Sequence, residues 1–261
     1  MPENPGMSRR KLIGLGAATI ASAALPDAIL GLSKAAAAAT GPTEGIGYCA
    51  RFGVAEKMLK DGLSAALSRG ADYADLFFQH RVSNGLGLED GEVNRASTSV
   101  ELGVGVRAVK GDQTGYAYTE DLTLEALVQA AKTAAAIADG PARPGPKGLK
   151  VDSALPARYP VKTRWEDVRP QQKLPLLSGL NEKVLAADKR IRKVNVSFGD
   201  EAGAILIADS NGRVVEDLQP MTRLYLSCVA EQDGKKETNG YNVAGRADIG
   251  FYSPDRLDRM V

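Results

Sequence analysis

The chain has 261 residues, 44% hydrophobic and only 5% aromatic, and its 33 Lys and Arg against 32 Asp and Glu leave a net charge of +1. That is enough apolar material for one large or two ordinary packed domains, and the near-neutral, aromatic-poor composition excludes a nucleic-acid binder held by a basic surface. The single histidine, His80, and the two distant cysteines, Cys49 and Cys228, exclude a disulfide framework and any familiar zinc site built from this chain alone.

Residues 1–39 read as an address. Ser8-Arg9-Arg10-Lys11 is followed by two apolar residues, Leu12 and Ile13, then by a Gly/Ala-rich run to Leu32 and the small residues Ala35–Ala39. This is the order of an export signal: a positive start, an apolar core and a small-residue cleavage site near Ala37–Ala39. Arg9 and Arg10 match the adjacent arginines of the twin-arginine type, which predicts an exported, periplasmic protein that meets the membrane only in transit. A retained anchor is the competing reading. Asp27 argues against it, since an aspartate at bilayer depth costs about 2.5–3.5 kcal/mol on insertion scales.

Residues 40–53 are Gly-rich and predict a linker. Residues 54–139 predict a first α+β unit, opening with a helix from Val54 that buries Met58, Leu59, Leu63 and Leu67 and stops at Gly70. Ala74–Val82 reads as a strand, Ser83-Asn84-Gly85 as a turn, and Leu86–Leu88 with Val93–Ser97 as short partners around the Asp90-Gly91 hairpin signal. In the next strand Val100, Leu102, Val104, Val106 and Ala108 share one face at a period of two, and Glu101, Gly103, Gly105, Arg107 and Val109 share the other. Two glycines on one strand face imply a close neighbour there: a packed helix, another strand or an extended ligand chain. Thr114–Tyr118 returns antiparallel, and Thr123 caps an amphipathic helix to about Ala138.

Residues 140–165, with Gly140–Gly148 alternating proline and glycine, predict an irregular crossover. Residues 166–240 predict a second α+β unit. It contains a helix at Gln171–Ala187, with Pro175 expected in the first turn, and four strands: Val194–Phe198, Ala204–Ala208, Val214–Leu218 and Arg223–Gln232. Aligning Asp90-Gly91 with Asn211-Gly212 sets Glu101–Val109 against Thr222–Ala230, so the units look like two diverged copies of a helix-plus-four-strand unit. Residues 241–261 are read as the start of a connection to a missing C-terminal domain, because Ser253-Pro254-Asp255 opens a helix whose apolar stripe begins at Leu257 and Met260. The fold class predicted is α+β, mainly antiparallel sheet with helices on one side.

Several linked stretches occur in a recognisable order: Ala71-Asp72-Tyr73-Ala74-Asp75-Leu76-Phe77-Phe78-Gln79, Leu88-Glu89-Asp90-Gly91-Glu92-Val93, Gly103–Val109, and Gly115-Tyr116-Ala117-Tyr118, with Gly245-Arg246 and Gly250-Phe251 later. Together they resemble the N-terminal domain of the TldD/PmbA family over about Ala55–Val261. Members of the TldD type are zinc metallopeptidases acting on peptides and working with a metal-free sister subunit. Their His-Glu-x-x-x-His motif lies in the C-terminal domain and is absent from this sequence.

The resemblance therefore implies no catalytic residue and no metal ligand in this chain, with zinc expected in the missing half. It implies a wall of a substrate channel, with Gly103, Gly105, Arg107 and Gly115 as the candidate residues and a threaded peptide as the ligand. The expected partners are the catalytic C-terminal half, a family sister subunit, or both. For Gly103 and Gly105 a helix packed over the sheet competes with peptide access, and for Arg107 a paired or solvated surface charge competes with a peptide carboxylate. A non-catalytic exported binding or scaffold protein, or the metal-free sister of a TldD-like pair, is the other reading of the whole chain.

Overall fold

The computed structural model describes residues 47–152 and 159–261. The residues read as an export signal, Arg9 and Arg10 among them, lie outside these. The described chain runs α1 (Tyr48–Phe52), α2 (Glu56–Ala66), β1 (Tyr73–Glu89), β2 (Glu92–Lys110), β3 (Gln113–Thr119), α3 (Leu124–Ala135), β4 (Lys150–Val151), α4 (Pro170–Ala187), β5 (Ile191–Asp209), β6 (Arg213–Gln232), β7 (Lys235–Gly245) and α5 (Pro254–Asp258). Short 3-10 turns at Trp165–Asp167 and Ile249–Phe251 precede α4 and α5.

All seven strands form one sheet in the order β3-β2-β1-β5-β6, with β4 and β7 both pairing β6. Every pairing is antiparallel except the two-residue contact of β4 with β6. The two units read from the sequence meet along β1 and β5, where Val82 faces Ala202 near the middle of the seam.

Residues directly opposite each other across a ladder share a face. The row Val106, Leu76, Ala208, Val214 is buried beneath α1, α2 and α3. The row Leu86, Phe198, Leu224 is buried beneath α4 and Trp165, Tyr252 and Met260. Leu76 and Leu86 are separated by an even number of residues on one strand, so both clusters lie on the same side of the sheet. Among the described residues the helices therefore cover one face and leave the other bare, as the alternating pattern predicts.

The local signals act where they were read. Asp90-Gly91 turns its hairpin with positive φ at both residues (50° and 87°), the twist that suits a two-residue hairpin, and the structure has a second such turn at Asp233-Gly234 (51° and 75°). Thr123 Oγ1 accepts a hydrogen bond from Ala126 N at 3.3 Å and caps α3.

Five expectations are corrected. Tyr48–Phe52, read as linker, is a helix whose Tyr48 is buried against Phe52 and Phe78. Ser83-Asn84-Gly85 is not a turn, and β1 continues through it with ladders on both sides. There Asn84 donates to Asp200 Oδ1 at 2.9 Å and accepts from Thr98 at 2.8 Å, so a turn-forming side chain is occupied by neighbouring strands. The paired short strands of both halves likewise merge into single strands of 17–20 residues. Pro220 is tolerated inside β6 because neither β4 nor β7 pairs with that stretch of its outer side. Each copy is thus a helix plus three strands, with the polar β7 unrecognised in sequence. Pro175 lies in the interior of α4, whose first residue is Pro170.

Candidate functional site

The bare face is built from the odd-numbered positions of β1, β2, β5 and β6. One row across it reads Tyr118, Gly105, Phe77, Ile207, Val215 and is apolar, with Phe77 exposed. The next row reads Tyr116, Arg107, Asp75, Asp209. A strand alternates its sides at every residue, so the pattern that buries Leu76 and Phe78 under helices places Asp75 and Phe77 on this face.

Gly103, Gly105 and Arg107 lie together on the bare face, and Gly115 does not. A Cβ on Gly115 would sit 2.1 Å from Ala134 O of α3, so this glycine exists to let the helix approach β3. Neither Gly103 nor Gly105 is covered by a helix. The phenol of Tyr116 lies over Gly105, 2.4 Å from where a Cβ would stand, and the chain reversal at Thr119 and Glu120 lies over Gly103, with Thr119 O at 2.9 Å. The close neighbour that the glycines announced is the following strand and its turn.

Arg107 is paired. Its Nε donates to Asp75 Oδ2 at 2.9 Å, a second guanidinium nitrogen donates to the same oxygen, and its Cζ lies 5.9 Å from the centre of the Tyr73 ring. The hydrogen bonds to the Asp75 carboxylate raise the guanidinium's already high pKa, so Arg107 is a fixed cation whose charge is answered from its own sheet.

Farther along the face, a trough of about 320 Å³ crosses the seam of the two copies. Its floor is Gly85, Gly199 and the serines Ser97 and Ser197, and nothing but Asn84 O approaches the Cβ position of Gly199 within 4 Å. Arg95 of β2 leans over Gly87 from one side, and Arg223 stands on the other beside Tyr225. Sequence reading passed over both arginines. Each is unremarkable alone, and only the ladder brings residue 95 and residue 223 to one hollow.

The groups that carry hydrolytic chemistry elsewhere are not assembled in the described residues. No group of three or more His, Cys, Asp or Glu residues suited to a metal occurs among them. His80 lies on the helical face against Phe52, with a buried Nδ1 that has no hydrogen-bond partner, and burial followed by the Arg51 charge lowers its pKa. Its surroundings do not fit a metal. The Cys49 thiol is pushed up to about 11, by burial first and then by the Glu216 carboxylate, which makes it a poor nucleophile at neutral pH. Cys228 is half-buried at the rim of the second cluster.

The sequence matches the family profile described as PmbA/TldA metallopeptidase domain 1 over residues 74–138 and that of the PmbA/TldA metallopeptidase central domain over residues 163–259. It is 32% identical over 188 residues to a metalloprotease TldD homolog of Haemophilus influenzae, a match covering 70% of this chain and 38% of that protein. The chain thus spans about two fifths of the curated relative's length. Among solved structures, a Thermotoga maritima protein described as a candidate modulator of a DNA gyrase superposes with a TM-score of 0.60 at 17% identity, covering 78% of this chain and 46% of that one. TldE from Thermococcus kodakarensis does so with a TM-score of 0.56 at 18% identity, again covering 78% and 46%. At these identities the two structures speak for the fold.

Proposed function

Because this chain belongs to the PmbA/TldD metallopeptidase family, of which it carries the first and central domains, we propose that it forms the substrate-channel part of an exported TldD-like peptidase. The observation that carries this reading is the bare sheet face beside a helix-covered one: a broad, extended surface on a chain whose relatives are named metalloproteases. A peptide lying along such a surface is held mainly by its backbone and by shallow contacts, which suits broad sequence tolerance. Gly103, Gly105 and Arg107 belong to this wall, with Tyr116 completing it over Gly105.

Zinc enters this reading through the portion of the family protein that the two matched domains do not include. The chain's own residues hold and orient the peptide. It works with a catalytic half and with a family partner of the TldD/TldE kind, and Arg9 and Arg10 direct export by the twin-arginine route.

The test uses the purified 261-residue chain. Alone it should hydrolyse no unfolded peptide and hold well under one zinc per chain by elemental analysis, and activity should appear on adding a separately expressed catalytic half. Stoichiometric zinc with peptidase activity in the isolated chain would sink the assignment. For export, a reporter fused after residue 45 should reach the periplasm, and Arg9→Lys with Arg10→Lys should keep it in the cytoplasm. Undiminished export of that variant rules out the twin-arginine route.

A further inference from the structure

Arg95 and Arg223 share the hollow on the bare face, and among the described residues neither forms an ion pair or donates a hydrogen bond to a protein acceptor. The other arginines of this face behave differently: Arg107 is held by Asp75 and Arg81 by Glu201. The lining of the hollow contains no carboxylate, and its remaining polar side chains are the hydroxyls of Ser97, Ser197 and Tyr225. In a chain of net charge +1, this is a local concentration of unanswered positive charge with donors around it.

The floor decides what can enter. Gly85 faces Gly199 directly across the β1–β5 seam, with Ser97 and Arg223 as their outer neighbours. Four adjacent strands span about 14 Å, so the hollow is wide enough for a chain to cross. A guanidinium prefers an oxyanion it can meet with two parallel N–H donors, and a carboxylate presents that edge.

We propose that this hollow binds a carboxylate of an extended peptide, either the C-terminal group or an acidic side chain, between Arg95 and Arg223. The proposal rests on the reading of this face as a peptide wall and adds to it a chemical preference. An inorganic oxyanion such as phosphate offers the same acceptor chemistry, so the test separates the two.

The full 261-residue chain would be titrated by fluorescence anisotropy with a labelled flexible nonapeptide ending in Asp-Glu with a free C-terminus, and with its Asn-Gln amide counterpart. Inorganic phosphate would be titrated by calorimetry. The acidic peptide should bind at least about tenfold tighter than the amide at low salt, and Arg95→Gln with Arg223→Gln should abolish that difference. Both arginines are exposed, and an unchanged melting temperature would show that the variant is folded. Lys132→Gln, on α3 across the sheet, should change neither affinity. Equal binding of both peptides to all proteins would overturn the carboxylate site while leaving the peptide wall intact. Phosphate binding lost in the double variant, with neither peptide bound, would overturn the peptide reading and leave an oxyanion site. No binding of any probe would overturn both.

Discussion

Lys173 of α4 and Asp200 of β5 form an ion pair at 2.5 Å with both side chains almost fully buried. Asn84 donates to the other carboxylate oxygen, and the Lys173 ammonium lies 5.7 Å from the Trp165 ring centre and 5.9 Å from that of Phe198. Removing one member of a buried pair leaves the other charge without compensation, at a cost of about 3–5 kcal/mol. Asp200→Asn should therefore lower unfolding stability in urea by that amount, and adding Lys173→Met should restore on the order of 1–3 kcal/mol of it. Losses that simply add would show that the pair is not coupled. His80 gives a pH signature. Its folded pKa lies below the ordinary 6.5 through burial and Arg51, with Glu166 opposing, so below pH 6.5 the unfolded chain takes up a proton that the folded chain refuses. His80's contribution is full above pH 6.5 and declines as pH falls from there to the folded value. Denaturation midpoints of His80→Gln should lack that decline, and an unchanged slope would show that other groups produce it.

At the scale of elements, the three glycines marked by the sequence separate into two kinds. Gly115 faces a helix backbone, at 2.1 Å from Ala134 O, and a backbone carbonyl in a packed helix cannot swing aside. Gly105 faces the outer end of the exposed Tyr116 ring, which can. Gly115→Ala should thus cost about 1–3 kcal/mol, the usual range for overpacking, and Gly105→Ala less than about 1 kcal/mol. Chemical denaturation of the two variants side by side measures this, and a reversed order would contradict the described packing of α3. The peptide-wall reading adds that Gly105→Ala should alter peptide handling in an assembled enzyme more than it alters stability.

The described residues are bound together by β1. Its first half supplies Leu76 and Phe78 to one cluster and its second half supplies Leu86 and Leu88 to the other, while the polar row Thr98, Asn84, Asp200, Thr222 crosses the strands between them. Loss of either cluster unpairs a strand on which the other depends. Thermal unfolding should therefore be one cooperative transition followed equally by circular dichroism and by Trp165 fluorescence, and two separated transitions would show that the copies fold independently. Among the described residues, β2 has no partner on its outer side from Leu102 toward Glu92, since β3 pairs only from Val104 onward. Amides along that free edge should exchange with deuterium faster than those of β5, which is paired on both sides.

Much of this was legible in residues alone. Alternation over Val104, Val106 and Ala108 of β2 identified the covered face, the Asp90-Gly91 and Asn211-Gly212 pairs placed their hairpins, and Thr123 placed the start of α3, because each depends on the backbone's local geometry. Strand length was not legible. Asn84, Gly85 and Pro220 carry turn or breaker chemistry, and ladders to neighbouring strands hold them extended: Asn84 between Thr98 and Asp200, Gly85 between Ser97 and Gly199, and Pro220 against Ala202. The face of Gly115, the Asp75 partner of Arg107 and the meeting of Arg95 with Arg223 were decided in the same way. The sequence by itself determined which residues seek burial and where the chain turns. Tertiary structure alone decided which charges are answered and which remain open, because register between distant strands, not spacing along the chain, sets who stands opposite whom.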